Sequence, residues 1–126
     1  MKASNVTTKL HWDEVLLAAL KEDIPWEDVS ANAVVPEEAR GHADLIAKAD
    51  GVLAGLPVFC RVFVLLDESA KVTLYKEEGA RVKAGERIAE VEGNMRAILS
   101  GERTALNFLQ RMSGIATYTN QVVSLL

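Results

Sequence analysis

The stretch Ser100–Thr117, SGERTALNFLQRMSGIAT, decides how the rest of the chain is read. Ser100 is suited to an N-cap, its hydroxyl accepting from the free backbone N–H groups of a helix that begins at Gly101. Ala105, Leu106, Phe108, Leu109 and Met112 then share one side of the helix. Arg103, Asn107 and Gln110 form a polar stripe on the opposite side. Ser113-Gly114 breaks the pattern. On this reading Arg103 falls in the first helical turn, where the helix dipole disfavours positive charge. The cation there calls for a partner, either Glu102 or an anion on another surface. The plain alternative is an amphipathic helix with a solvated polar face, and spacing alone does not choose between them.

Downstream, Ile115, Tyr118, Val122, Val123 and Leu126 recur at helical steps and predict a last helix. It lacks a glycine, asparagine or basic last turn to end it, so it is either covered by something or cut short. Upstream, the glycines of EEGARVKAGERIAEVEG, Glu77–Gly93, suit tight turns between short strands, and Met95, Ala97 and Leu99 alternate as one more strand. Lys71–Lys76 alternates too, Val72 and Leu74 against Thr73 and Tyr75. Pro57 favours a first helical turn, and Leu56, Phe59, Cys60, Phe63, Val64 and Leu66 give that helix an apolar face ending near Asp67. Ala39–Ala49 reads as strand, with a turn at Asp50-Gly51 and a further short strand at Val52-Leu53-Ala54. His11–Asp23 reads as a helix with Trp12, Val15, Leu16, Ala19 and Leu20 on one face, closed by Ile24-Pro25. The order is helix, strands, helix, strands, helix: an α+β chain with a mixed or antiparallel sheet.

Composition limits the partners. The chain has 126 residues, enough for one domain with a little of a second. Its formal net charge of −4 offers no basic surface for a phosphate backbone, so nucleic acid is not an expected partner. No run approaches the ~20 apolar residues that span a bilayer. The first residues, MKASNVTTKLHW, lack the apolar run of a signal peptide. Cys60 is the single cysteine; it excludes an internal disulfide, suits a reducing cytoplasm and sits in an apolar segment as a core residue. His11 and His42 stand far apart, with no Cys or carboxylate at ligand spacing, so no metal site is expected from this chain. No nucleophilic dyad, Walker loop or dinucleotide fingerprint is present.

The glycine turns also resemble half of a biotinyl or lipoyl carrier domain. A carrier needs a modifiable lysine at its hairpin tip, and the corresponding tip reads Glu92-Gly93-Asn94-Met95-Arg96. Lys83 lies in the preceding turn.

ERTALNFLQRMSGIAT, Glu102–Thr117, closely resembles the signature of the quinolinate phosphoribosyltransferases (nicotinate-nucleotide pyrophosphorylases). ALKEDIPWEDVS, AKADGVLAGLPV and EGARVKAGERIAEVEG agree with other family segments in order and spacing, so the resemblance runs from about Ala18 to the end. Trp26 and Glu27 depart from it, where a glycine is usual before the aspartate. The resemblance implies an N-terminal α/β sandwich of hammerhead type over residues 1–112. The first segment of an α/β barrel would occupy 113–126, and the chain would be truncated there.

The implied activity of the whole enzyme joins quinolinate and phosphoribosyl pyrophosphate into nicotinate mononucleotide, pyrophosphate and carbon dioxide, in the cytoplasmic synthesis of NAD. Magnesium would accompany the pyrophosphate on the barrel, and none of the barrel's catalytic residues lies in this chain, which alone is expected to be inactive. One residue carries over from the signature: Arg103, reaching into the partner subunit's site of a homodimer to bind a quinolinate carboxylate. Asn107 and Gln110 would lie at the subunit contact or in solvent. The alternatives are a molybdenum-associated relative of the same architecture and a freestanding hammerhead carrier or interaction module.

Overall fold

The computed structural model describes residues 13–22 and 38–124. Helix α1 covers residues 13–22, followed by β1 (Arg40–Ala47), β2 (Gly51–Val52), α2 (Leu56–Leu66), β3 (Lys71–Leu74), β4 (Arg81–Val82), β5 (Arg87–Asn94), α3 (Met95–Ser113) and β6 (Thr117–Ser124). Trp12 and the Ile24-Pro25 stop lie outside the described residues.

Four strands form a sheet in the order β3-β5-β1-β6, and β2 pairs with β4 in a second, two-stranded sheet. Every pairing among the described residues is antiparallel. Along β1, Ala43, Leu45 and Ala47 are buried while His42, Asp44 and Ile46 are less so; this period of two shows which face meets the core. Val91 of β5 lies opposite Ala43 on the same face, and the register slips once between Leu45 and Ile46.

The helices supply the other layer. Leu56, Phe59, Val62 and Phe63 of α2 join Ile98, Ala105 and Leu109 of α3 and Leu16 and Leu20 of α1 in one core. The rings of Phe59 and Phe63 meet edge to face at 5.1 Å between centroids. The expected apolar face of α2 was rotated slightly. Val58 and Val62 are buried together with Leu56, Phe59 and Phe63, while Cys60, Val64 and Leu66 are half-buried.

Gly101 sets how closely the two helices approach. A Cβ there would stand 2.8 Å from Leu66 Cδ1 and 3.3 Å from Val62 Cγ1. Outside the sheet, Gly79 and Gly85 hold φ of 85° and 90° in the turns before β4 and β5, conformations that favour glycine. Gly93, grouped with them in the sequence reading, is instead a buried residue of β5.

Two expectations are overturned. Met95, Ala97 and Leu99 belong to α3 and not to a strand. Asn94 is the N-cap, its side chain accepting from Ala97 N at 3.2 Å. Alternation over three residues was compatible with helix, and Met95, Ile98, Gly101 and Ala105 continue the buried stripe at steps of three and four. Ser100 is therefore a buried residue inside the helix.

The last element is a strand and not the expected helix. Residues 117–124 form an edge strand paired along all of β1, from Ala47↔Thr117 to Arg40↔Ser124. Gly114, at φ 71°, closes α3 by donating its N–H to Gln110 O at 2.8 Å and turns the chain back. Thr117, Thr119, Val122 and Val123 are β-branched, and the open edge of β1 offers them a ladder that an isolated sequence cannot display.

Candidate functional site

The longest helix among the described residues, α3, carries the candidate site. α3 buries Ile98, Gly101, Ala105 and Leu109 and turns Arg103 and Asn107 outward. Leu99, Glu102, Arg103, Leu106, Asn107 and Gln110 line one flank of a hollow of about 450 Å³, and Gln121 of β6 closes it from the other side. Met112, expected inside, is exposed at the end of the helix.

Arg103 is the ninth residue of α3, counting Met95 as the first. It is not in the first turn, so the dipole cost argued from the sequence does not exist; that penalty fades within one turn of the helix end. What marks Arg103 is its place on the wall of this hollow without a partner from its own chain among the described residues. The Arg61 guanidinium is held by Asp13 at 2.8 and 2.9 Å, and Arg87 by Asp44 at 2.8 Å. The exposed Arg103 side chain makes no ion pair among the described residues.

Glu102, one proposed partner for it, points elsewhere: its carboxylate accepts a hydrogen bond from the Thr119 hydroxyl. Gln110 donates through Nε2 to Thr117 O at 3.0 Å and to Thr117 Oγ1 at 3.4 Å. Of the polar stripe read from the sequence, Gln110 thus belongs to the chain's own architecture, tying α3 to the start of β6. Gln121 was missed because residues 117–124 read as helix. The dense β-branched run there was the available signal.

The hollow can bind an anion. Its one carboxylate is engaged by Thr119, while a planar guanidinium stands open beside it and can grip a carboxylate through two parallel N–H bonds. Magnesium does not fit: a hard cation needs several oxygen ligands, and this wall supplies one engaged carboxylate next to a fixed positive charge.

A second cluster forms on the outer face of the sheet, where His42 and Asp44, two residues apart on β1 and so a carboxylate nearer to His42 than the sequence expectation allowed, meet Glu90 of the paired strand β5. Ligand atoms of His42, Asp44 and Glu90 lie within 4.8 Å of one another. Arg87 already bridges the two carboxylates, at 2.8 Å from Asp44 and 3.2 Å from Glu90, and its guanidinium lies 4.4 Å from the Tyr75 ring centre. This is an ion-pair network whose carboxylates are taken. Elsewhere, burial pushes the half-buried Cys60 thiol up to about 11, so it is a packing residue and a poor nucleophile. The lysine-free carrier tip, Glu92–Arg96, is not a hairpin tip; it runs through the end of β5 into α3. No helix among the described residues is long and apolar enough to cross a membrane.

Residues 28–113 match the family described as quinolinate phosphoribosyl transferase, N-terminal domain. The chain is 41% identical over 102 residues to a probable nicotinate-nucleotide pyrophosphorylase (carboxylating) of Bacillus subtilis, covering 81% of this chain and 35% of that protein. It is 40% identical over 110 residues to the mitochondrial quinolinate phosphoribosyltransferase (decarboxylating) 2b of Nicotiana tabacum, covering 86% and 31%. The crystal structure of NadC from Streptococcus pyogenes superposes with a TM-score of 0.76 at 42% identity, over 80% of this chain and 36% of that one. The chain therefore spans about a third of the length of these relatives. With the helix that bears Arg103 lying inside the matched segment, the chain belongs to the quinolinate phosphoribosyl transferase N-terminal domain family.

Proposed function

We propose that this chain is the N-terminal α/β sandwich, of hammerhead type, of an enzyme of NAD synthesis. That enzyme would convert quinolinate and phosphoribosyl pyrophosphate to nicotinate mononucleotide, pyrophosphate and carbon dioxide. The chain's own contribution is the donor surface of α3. Arg103 leaves its subunit, enters the site of a partner subunit and grips a quinolinate carboxylate there. The observation that carries this reading is the exposed Arg103 guanidinium, without an ion pair among the described residues, on the wall of an anion-compatible hollow.

The division of labour follows from what the hollow lacks. It offers no base, nucleophile or metal ligand set, so the phosphoribosyl pyrophosphate, its magnesium and the transfer chemistry belong to an α/β barrel beyond this domain. The sandwich, expected from the resemblance to end at residue 112, would then include β6 (Thr117–Ser124), which pairs with β1 in its sheet, and the passage toward that barrel would follow that strand. The deciding experiment measures nicotinate mononucleotide formed from quinolinate, phosphoribosyl pyrophosphate and magnesium. The reading frame extended past Leu126 should give product, and residues 1–126 alone none. No product from a folded, extended dimer would overturn the assignment.

A further inference from the structure

The polar groups around the α3 hollow fall into two sets. Glu102 accepts from the Thr119 hydroxyl and Gln110 donates to Thr117, so both serve the chain itself. The Arg103 and Asn107 side chains are exposed and make no hydrogen bond or ion pair among the described residues. They stand four residues apart on one face of α3, which puts their Cβ atoms about 5–6 Å from each other. Leu99 and Leu106 flank them and supply an apolar surface to the same hollow. The open groups are thus the Arg103 guanidinium, the Asn107 carboxamide one helical turn from it beside an apolar strip, and the Gln121 carboxamide facing them from β6.

Quinolinate carries two carboxylates on neighbouring carbons of a flat ring. If Arg103 takes one of them, the other falls within reach of a donor one turn along the helix. We propose that Asn107 is a specificity-determining residue. Its side-chain N–H donates to the second carboxylate, and the Arg103–Asn107 pair selects a vicinal dicarboxylate over a pyridine monocarboxylate. This rests on the role proposed for Arg103. The physical basis is the asymmetry of polar recognition: a site built to donate to a group loses most when that group is absent.

The test uses the complete enzyme with titration calorimetry of quinolinate and of nicotinate, a monocarboxylate, against the unaltered protein and Asn107→Ala, Asn107→Asp and Arg103→Ala. A hydrogen bond to a charged group corresponds to a factor of about 10–100 in affinity. Asn107→Ala should weaken quinolinate by that factor and leave nicotinate within about twofold, collapsing the ratio between the ligands. Asn107→Asp, which sets a like charge against the carboxylate, should weaken quinolinate further. Equal losses for both ligands, or no loss for either, would overturn the inference. If Arg103→Ala weakens quinolinate and the Asn107 variants do not, this inference alone fails. If Arg103→Ala has no effect, the functional reading fails with it.

Discussion

The Glu78 carboxylate holds the first backbone amides of α2 from 23 residues away, reaching Gly55 N at 2.8 and 3.0 Å and Leu56 N at 3.0 Å. Gly55 itself has no side chain with which to cap the helix, and Pro57 lacks an N–H, so a loop residue between β3 and β4 does the capping. Negative charge at this end also suits the helix dipole.

Removing this carboxylate leaves two amides without their acceptor. Glu78→Ala is expected to lower the stability of the domain by about 0.5–2 kcal/mol, the usual range for a lost N-cap. Thermal unfolding should show the drop, and Glu78→Gln, which retains an acceptor without the charge, should fall between the two. Equal stability of all three proteins would sink the capping role.

The position of β6 can be tested at Gly41. A Cβ there would stand 2.4 Å from Val122 O, 2.6 Å from Met95 Sδ and 3.2 Å from Val123 Cα. Two of these three are backbone atoms of the neighbouring strand, so the strand must shift. Gly41→Ala is expected to cost about 1–3 kcal/mol, as overpacking does. Amide exchange should show residues 117–124 losing protection while the β1–β5 ladder keeps it. Unchanged exchange in both would mean β6 does not lie where described.

Cys60 gives a chemical test of the packing. With its thiol raised to about 11 by burial, the thiolate population at pH 8 is about a hundredfold below that of an ordinary cysteine. A disulfide reagent should therefore modify the folded chain about a hundredfold more slowly than the same chain in denaturant. Equal rates would show that the thiol is open to solvent.

Asp67 joins the end of α2 to the start of α3. It accepts from Ser69 Oγ at 2.6 Å, Ser69 N at 2.9 Å and Asn94 N at 3.0 Å. The Ser69 hydroxyl, opposed in part by burial and helped by the Asn94 and Ser69 amides and by Arg40, holds its carboxyl below the usual range. A carboxyl with a depressed folded value binds its proton more readily when unfolded. Its stabilisation is full above the ordinary aspartate range, near ~4, and is lost as pH falls through the folded value. Asp67→Asn should thus lower stability at pH 7 and flatten the acid limb of the stability profile. An unchanged acid limb would remove Asp67 from that role.

Arg103→Lys should separate function from fold. The side chain is exposed and has no ion pair among the described residues, so stability of the domain should move by less than about 0.5 kcal/mol. In the complete enzyme, quinolinate use should fall sharply, because an ammonium cannot make the paired bonds of a guanidinium. Unimpaired affinity and turnover would leave Arg103 without the proposed ligand.

Local patterns were enough for elements whose signals agree along the chain. Pro57 and the apolar spacing after it placed α2 to within a residue, and the turns at Gly79 and Gly85 were legible because only glycine adopts φ near 85–90° without strain. The site was partly legible. Arg103 was singled out, but from a helix start six residues too late, so the dipole argument was wrong while the residue remained the notable one. Its distinction is its place on the wall of the α3 hollow, since Arg81 and Arg111 are equally exposed and also make no ion pair among the described residues, and that placement is a three-dimensional fact.

By itself, the sequence determined the α+β class, the helix at α2, the helical signature and the family, because each rests on residues within a few positions of one another. Only the tertiary structure decided three further things. Met95 starts a helix because its side chain and that of Ile98 reach the core together. Thr117–Ser124 is a strand because β1 offers it an edge. The wall of the α3 hollow includes Gln121 because that strand returns beside the helix. In each case two conformations were locally acceptable, and contact between residues distant in the chain chose between them.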